Sequence, residues 1–265
     1  MHIIKFAMTA RLNLISIGLL TILSSSLIYA SETDMSSIQL HKHSNVIAND
    51  GQNMHQHGNE IYQLIELDNK WLVDDDRQGQ LKSALKYWIG TDENKLYLKS
   101  HVNRAESASA DYDVSLLYSR LLSEFWDIQT GIKHVKDRNL DRSTNAAIIG
   151  VHGLAPYFFE TDAYVEIASN DRISLILESS RDILLTQKLI TQPFIDATVS
   201  IQDNSPYARR SGLTELNVGL QTRYELSKQV MPYIEFSYRY DKGLKSEQPS
   251  DKDTGLYGVG ILFKF

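Results

Sequence analysis

From Ile61 to the end of the chain, apolar and polar residues alternate in segments separated by turn-forming stretches. Successive side chains of a strand point to opposite faces of a sheet, so this period predicts strands. In the first half the segments are Ile61–Asp68, Leu81–Ile89, Lys95–Val102, Asp111–Ser119, Phe125–Lys133 and Asn145–Gly153. In the second half they are Phe158–Ala168, Arg172–Leu184, Lys188–Ser200, Glu215–Leu226, Tyr233–Asp241 and Leu256–Phe265. Between them lie stretches such as Gly90-Thr-Asp-Glu-Asn94, Ser169-Asn-Asp171 and Asp203-Asn-Ser-Pro206, which carry the residues that turns need. The pattern predicts an all-β fold, an antiparallel transmembrane β-barrel of about 12 strands. A ten-strand barrel is the alternative if the first pair is over-read.

The faces are clearest late in the chain. Leu216, Val218, Leu220, Thr222, Tyr224 and Leu226 share one side, opposite Asn217, Gln221, Arg223 and Glu225. Ile234, Phe236, Tyr238 and Tyr240 oppose Glu235, Arg239 and Asp241. The final strand, Y-G-V-G-I-L-F-K-F, sets Tyr257, Val259, Ile261, Phe263 and Phe265 against Gly258, Gly260, Leu262 and Lys264. An apolar face on a terminal edge strand is an aggregation hazard in water. In a barrel it meets lipid, and tyrosines near strand ends suit the interfacial girdles.

The first thirty residues have a different pattern. Lys5 and Arg11 mark a basic region, Leu12 to Leu23 is largely apolar, and Ser-Leu-Ile-Tyr-Ala ends at Ala30. This is the pattern of a secretory signal peptide over residues 1–30, too short for a membrane-spanning helix. Its removal takes away two basic residues and no acid, so the net charge of −6 becomes −8. That balance argues against nucleic acid and leans toward cations. Cysteine is absent, which removes disulfides and thiolate metal sites. A mean hydropathy of −0.28 is compatible with a barrel, because a polar lumen averages out an apolar exterior.

Residues 31–60 show neither period and read as a disordered periplasmic tail, with the barrel over 61–265. The tail holds four of the eight histidines, as His41-Lys-His43 and Met54-His55-Gln-His57, with Met35 nearby. Imidazole suits Cu(II) and thioether suits Cu(I), so a mixed Met/His tract points to copper more than to magnesium or calcium. An inert polar linker is the alternative. In the barrel, the polar faces carry mixed charges of the kind that cross-link a lumen by ion pairs. The functional alternative is an acidic vestibule for a cation. His101 and His152 fall on the polar parity as candidate lumen ligands, while His134 has outward parity.

Several stretches resemble the copper resistance protein B family of outer-membrane proteins. They include Trp88-Ile-Gly-Thr-Asp-Glu-Asn-Lys-Leu-Tyr-Leu-Lys99, Leu117-Tyr-Ser-Arg120, Phe125-Trp-Asp-Ile-Gln-Thr-Gly131 and Gly150-Val-His-Gly-Leu-Ala-Pro-Tyr-Phe-Phe159. Leu184-Leu-Thr-Gln-Lys-Leu189, Gly219-Leu-Gln-Thr-Arg-Tyr-Glu225 and Pro232-Tyr233 continue the resemblance. It implies an outer-membrane barrel in copper homeostasis, preceded by a Met/His-rich periplasmic segment. Family tails often repeat an M-x-H pattern, whereas here Met54-His-Gln-His57 is the single close version. Capture of one or two ions is therefore expected, rather than storage of many.

The resulting expectation is a non-enzymatic protein that captures periplasmic copper by its Met/His tail and sequesters or exports it, with Met35, His41, His43, Met54, His55, His57, His101 and His152 as the candidate ligands. Its expected partners are copper ions, outer-membrane lipid and periplasmic copper proteins. A general porin without a metal role is the alternative. An outer-membrane lipid hydrolase would need an outward histidine, for which His134 is the candidate, beside a nucleophile. No serine-containing catalytic signature accompanies it.

Overall fold

The alternation becomes thirteen strand segments forming twelve staves. The computed structural model describes residues 60–265 apart from 107, 139–140, 170, 204–210 and 244–250. The expected signal peptide, the tail and its Met35, His41, His43, Met54, His55 and His57 lie outside the described residues. The strands are β1 (Tyr62–Asp74), β2 (Gly79–Gly90), β3 (Asn94–Ala105), β4 (Asp111–Ser123), β5 (Trp126–Asp137) and β6 (Arg142–Ala155). After a short 3₁₀ turn at Pro156–Phe158 come β7 (Phe159–Ala168), β8 (Ile173–Ser180), β9 (Ile183–Leu184) and β10 (Leu189–Gln202). The last three are β11 (Gly212–Tyr224), β12 (Val230–Asp241) and β13 (Lys252–Lys264). Each stave pairs antiparallel with its neighbours in sequence, and β13 pairs with β1 to close the barrel. Phe265 seals this seam by exchanging two backbone hydrogen bonds with Ile65, both 2.9 Å. Closure leaves no sheet edge, which a strand facing lipid requires.

Three local departures from the expected strands have physical causes. The segment expected as one strand over Arg172–Leu184 is interrupted between β8 and β9. Both pieces keep one register against β10, and the break lies opposite Pro193, which accepts from Arg181 N–H (3.2 Å) but has no N–H to return. A bulge sets Thr214 out of register against β10, so Leu213 faces out while Thr214 is buried. Strand β1 runs six residues beyond Asp68, because its inward side chains, Asp68 and Lys70, are polar and hide the core parity.

The outer wall is apolar, with Leu116, Ile132, Ile149, Ile167, Leu220, Phe236 and Val259 all exposed. The interior is filled unevenly. Tyr97, Leu117, Ile148 and Tyr164 pack together inside the β3–β7 arc with Trp88 and Ile176 against them. A smaller inner cluster joins Met231, Tyr233 and Leu262. Tyr233 lies over Gly260, where a Cβ would stand 2.3 Å from the ring Cζ, so any larger residue there would displace the ring.

Candidate functional site

Beside the packed arc the lumen keeps a cavity of about 590 Å³. It reaches the barrel end where β1 begins and β13 ends, marked by the 2.7 Å ion pair of Glu66 and Lys264, and its lining includes Lys70, Asp162, Glu178 and His101. Phe158 lines its mouth from the β6–β7 turn, where Tyr157 and Phe158 both adopt positive φ of 65° and 62°. Bulky residues rarely take that conformation, so the turn holds this pair of aromatic residues under local strain.

The charges inside form ordered contacts. Lys70 reaches Glu235 (2.7 Å), Lys95 reaches Asp127 (2.9 Å) and Lys99 reaches Asp162 (2.8 Å). Glu166 receives Arg172 (2.7 Å) and Lys133 (3.4 Å), Lys86 meets Glu160 (3.0 Å), and Arg223 pairs with Asp182. Tyr233 donates to Asp68. In the packed arc a continuous network runs through these pairs. Ser119 donates to Asp127 (3.0 Å), Gln129 to Ser119 (3.1 Å), and Tyr164 to Gln129 (2.6 Å). Lys99 then donates to both Tyr164 (3.2 Å) and Asp162. Gln129 and Ser119 are fully buried, so this satisfied network is what makes their burial tolerable.

A second arrangement runs around the wall. Strand register places Asp127, His152, Asp162, Glu178, Asp196, Asn217 and Arg239 directly opposite one another on successive staves from β5 to β12. Direct cross-strand neighbours have Cβ atoms roughly 5 Å apart, and like charges at that spacing repel. Asp162, Glu178 and Asp196 are three such carboxylates in succession. Asp162 is compensated by Lys99 and His152, and Asp196 accepts from Asn217 (3.0 Å). Glu178, between them, has no hydrogen bond or ion pair among the described residues. Glu178 is thus a lumen carboxylate without a hydrogen-bonded countercharge among those residues.

Both expected lumen histidines face inward, each against a carboxylate. His152 Nδ1 lies 2.5 Å from Asp162 Oδ1, and its ring meets Tyr97 edge-on at 5.8 Å. His101 Nδ1 lies 3.0 Å from Asp113 Oδ2. A carboxylate can only accept, so Nδ1 carries the hydrogen and, in the neutral ring, Nε2 keeps its lone pair. Metal-ligating histidines are usually held this way. Among the described residues, however, no three His, Asp or Glu side chains stand together as a metal cage. His134 faces outward, with its Nδ1 2.7 Å from Asn145 Oδ1. Asp196, Lys70, Lys86 and Tyr164 belong to the lumen site without having been singled out from sequence. Their inward parity was the available signal.

The model of the copper resistance protein B precursor family matches residues 62–262, nearly the whole barrel. The chain belongs to this family. Copper resistance protein B of Escherichia coli is 29% identical over 213 residues, covering 78% of this chain and 71% of that protein. A copper resistance protein B homolog of Pseudomonas syringae pv. tomato is 26% identical over 172 residues, covering 65% of this chain and 58% of that protein. Among solved structures, the NanC porin matches with a TM-score of 0.52 at 13% identity, covering 76% of this chain and 100% of that one. That likeness is one of fold, and it agrees with a closed twelve-stave barrel of the outer-membrane type.

Proposed function

We propose that this outer-membrane barrel lowers periplasmic copper, with the Met/His tail capturing the ion and the lumen receiving it. Membership of the copper resistance protein B family is the observation that carries this reading. Connections at the barrel end where β1 begins span at most five residues, whereas those after β10 and β12 span nine and ten. Outer-membrane barrels keep short turns in the periplasm, which supports a periplasmic tail. The cavity reaches that same end, and Met54, His55 and His57 precede β1 by only a few residues in sequence, so the reading has an ion pass from them toward Glu66, Asp162 and Glu178. Copper is the cargo: His152 and His101 would offer Nε2, and the carboxylate row would hold the ion weakly enough to pass it on. Packed side chains narrow the lumen on the β3–β7 side, which suits an ion better than a bulky solute. Periplasmic copper proteins would then be upstream donors.

Growth on graded copper tests this. Cells lacking the chain are complemented with the native protein, with Met54→Leu/His55→Ala/His57→Ala, or with His152→Ala. Native complementation with loss of tolerance in the variants is expected. Tolerance unchanged by removal of the native chain contradicts the reading.

A further inference from the structure

The lipid-facing wall carries two grooves whose caps have opposite charge. The first, about 560 Å³, runs over β4–β7. Ala147 forms its floor, Leu116, Ile132 and Ile167 its exposed walls, and the His134–Asn145 pair closes it toward the barrel end away from the start of β1. Beyond that pair sit outward Tyr112 and Lys136, then Arg138 in the β5–β6 turn, with outward Arg104 on neighbouring β3. The guanidinium of Arg138 lies 5.8 Å over the Tyr112 ring, and its backbone N–H, 2.9 Å away, occupies the Asp111 carboxylate. Neither Arg104 nor Arg138 has a carboxylate partner for its guanidinium among the described residues. Lys136 pairs only with the exposed Asp141 at 2.8 Å, a contact that solvent weakens. Asp141 apart, alternation sends the strand acids near this rim the other way: Asp111, Asp113 and Asp137 occupy lumen-side positions of β4 and β5.

The second groove, about 470 Å³, lies over β11–β13 and is lined by Leu220, Phe236 and Tyr257. Its cap is acidic. Asp253 accepts from Tyr238 (2.9 Å), and Asp75 accepts from the Gly255 N–H (2.8 Å). Both grooves suit an acyl chain, but among the described residues only the first places unpaired cations where a headgroup would sit.

We infer that the β4–β7 groove is a binding site for an anionic membrane lipid whose phosphate carries its net negative charge. One acyl chain lies along Leu116, Ile132, Ala147 and Ile167, and the phosphate meets Arg104 and Arg138. Arginine suits this role because its planar fork matches phosphate oxygens and it stacks on aromatic faces, as Arg138 does on Tyr112. The site is independent of the copper reading.

Native mass spectrometry of the full chain in detergent tests it, with dioleoyl phosphatidic acid, dioleoyl phosphatidylcholine and inorganic phosphate as probes. Each cation near a headgroup is worth roughly fivefold in lipid affinity, so phosphatidic acid should be retained roughly twentyfold over phosphatidylcholine. Arg104→Ala with Arg138→Ala should abolish that preference, and Ala147→Phe, which fills the groove, should lower retention of both lipids. Asp75→Asn with Asp253→Asn at the other groove should change neither. Folding of each variant is checked by its mobility on unboiled gels, and Arg138→Lys should keep part of the preference. Equal retention of the two lipids, or an unchanged preference in the double arginine variant, would overturn the inference. So would inorganic phosphate displacing phosphatidic acid at equal concentration, because that makes the site one for free phosphate.

Discussion

The two halves of the lumen solve the burial of charge differently. In the arc around Tyr97, Leu117, Ile148 and Tyr164, each polar group of the Ser119–Asp127–Gln129–Tyr164–Lys99 network is hydrogen-bonded and the apolar side chains are packed. In the cavity half, Glu178 stands between two other carboxylates with no hydrogen bond or ion pair of its own among the described residues. A protein under selection for stability alone would place a cation or a neutral residue there. The contrast separates a half whose polar groups are mutually satisfied from a half that leaves carboxylates side by side, which is where the proposed function has the cation received.

Substitutions in each half can break this contrast. Leu117→Ala should have the largest effect, because the side chain is 1% exposed and the arc is close-packed. A loss of about 2–5 kcal/mol is expected in urea unfolding from detergent. Next comes Lys99→Met. It leaves Asp162 to His152 alone and removes a donor to Tyr164, costing about 2–3 kcal/mol, toward the lower end for a broken buried pair because His152 still donates. The smallest effect, of opposite sign, is expected for Glu178→Gln. Relieving the like-charge row should stabilise the barrel by roughly 0.5 kcal/mol, within the range for cross-strand pairs, while weakening copper uptake by the lumen. Destabilisation by this variant would mean that Glu178 is structural, and the two halves would then be alike.

Much of the barrel was legible in sequence because lipid on one side and a polar lumen on the other enforce a strict period of two. The faces of β11, β12 and β13 follow it, and Phe265 closes the seam where the terminal strand was expected to lie. What depends on a neighbouring strand was not legible. The interruption between β8 and β9 comes from Pro193 of β10, and the parity change at Thr214 comes from its pairing with β10. The carboxylate row is the clearest case. Asp162, Glu178 and Asp196 are far apart in sequence and only register aligns them; parity gave the face of Asp162 and Glu178, while Asp196 and the adjacency of all three were missed. For the same reason His101 and His152 were placed in the lumen correctly, but their carboxylate partners were not identified. Tail residues Met35, His41, His43, Met54, His55 and His57 rest on composition and spacing.

The central claim, capture by the tail and receipt by the lumen, is tested most directly by metal titration of the mature full chain in detergent. Cu(I), Cu(II) and Zn(II) are compared for the native chain, for Met54→Leu/His55→Ala/His57→Ala, and for His152→Ala with Glu178→Gln. The account predicts a tighter copper phase that disappears with the tail variant and a weaker phase that disappears with the lumen variant. A Cu(I) response should be confined to the phase that needs Met54. Identical copper isotherms for all three chains would contradict it.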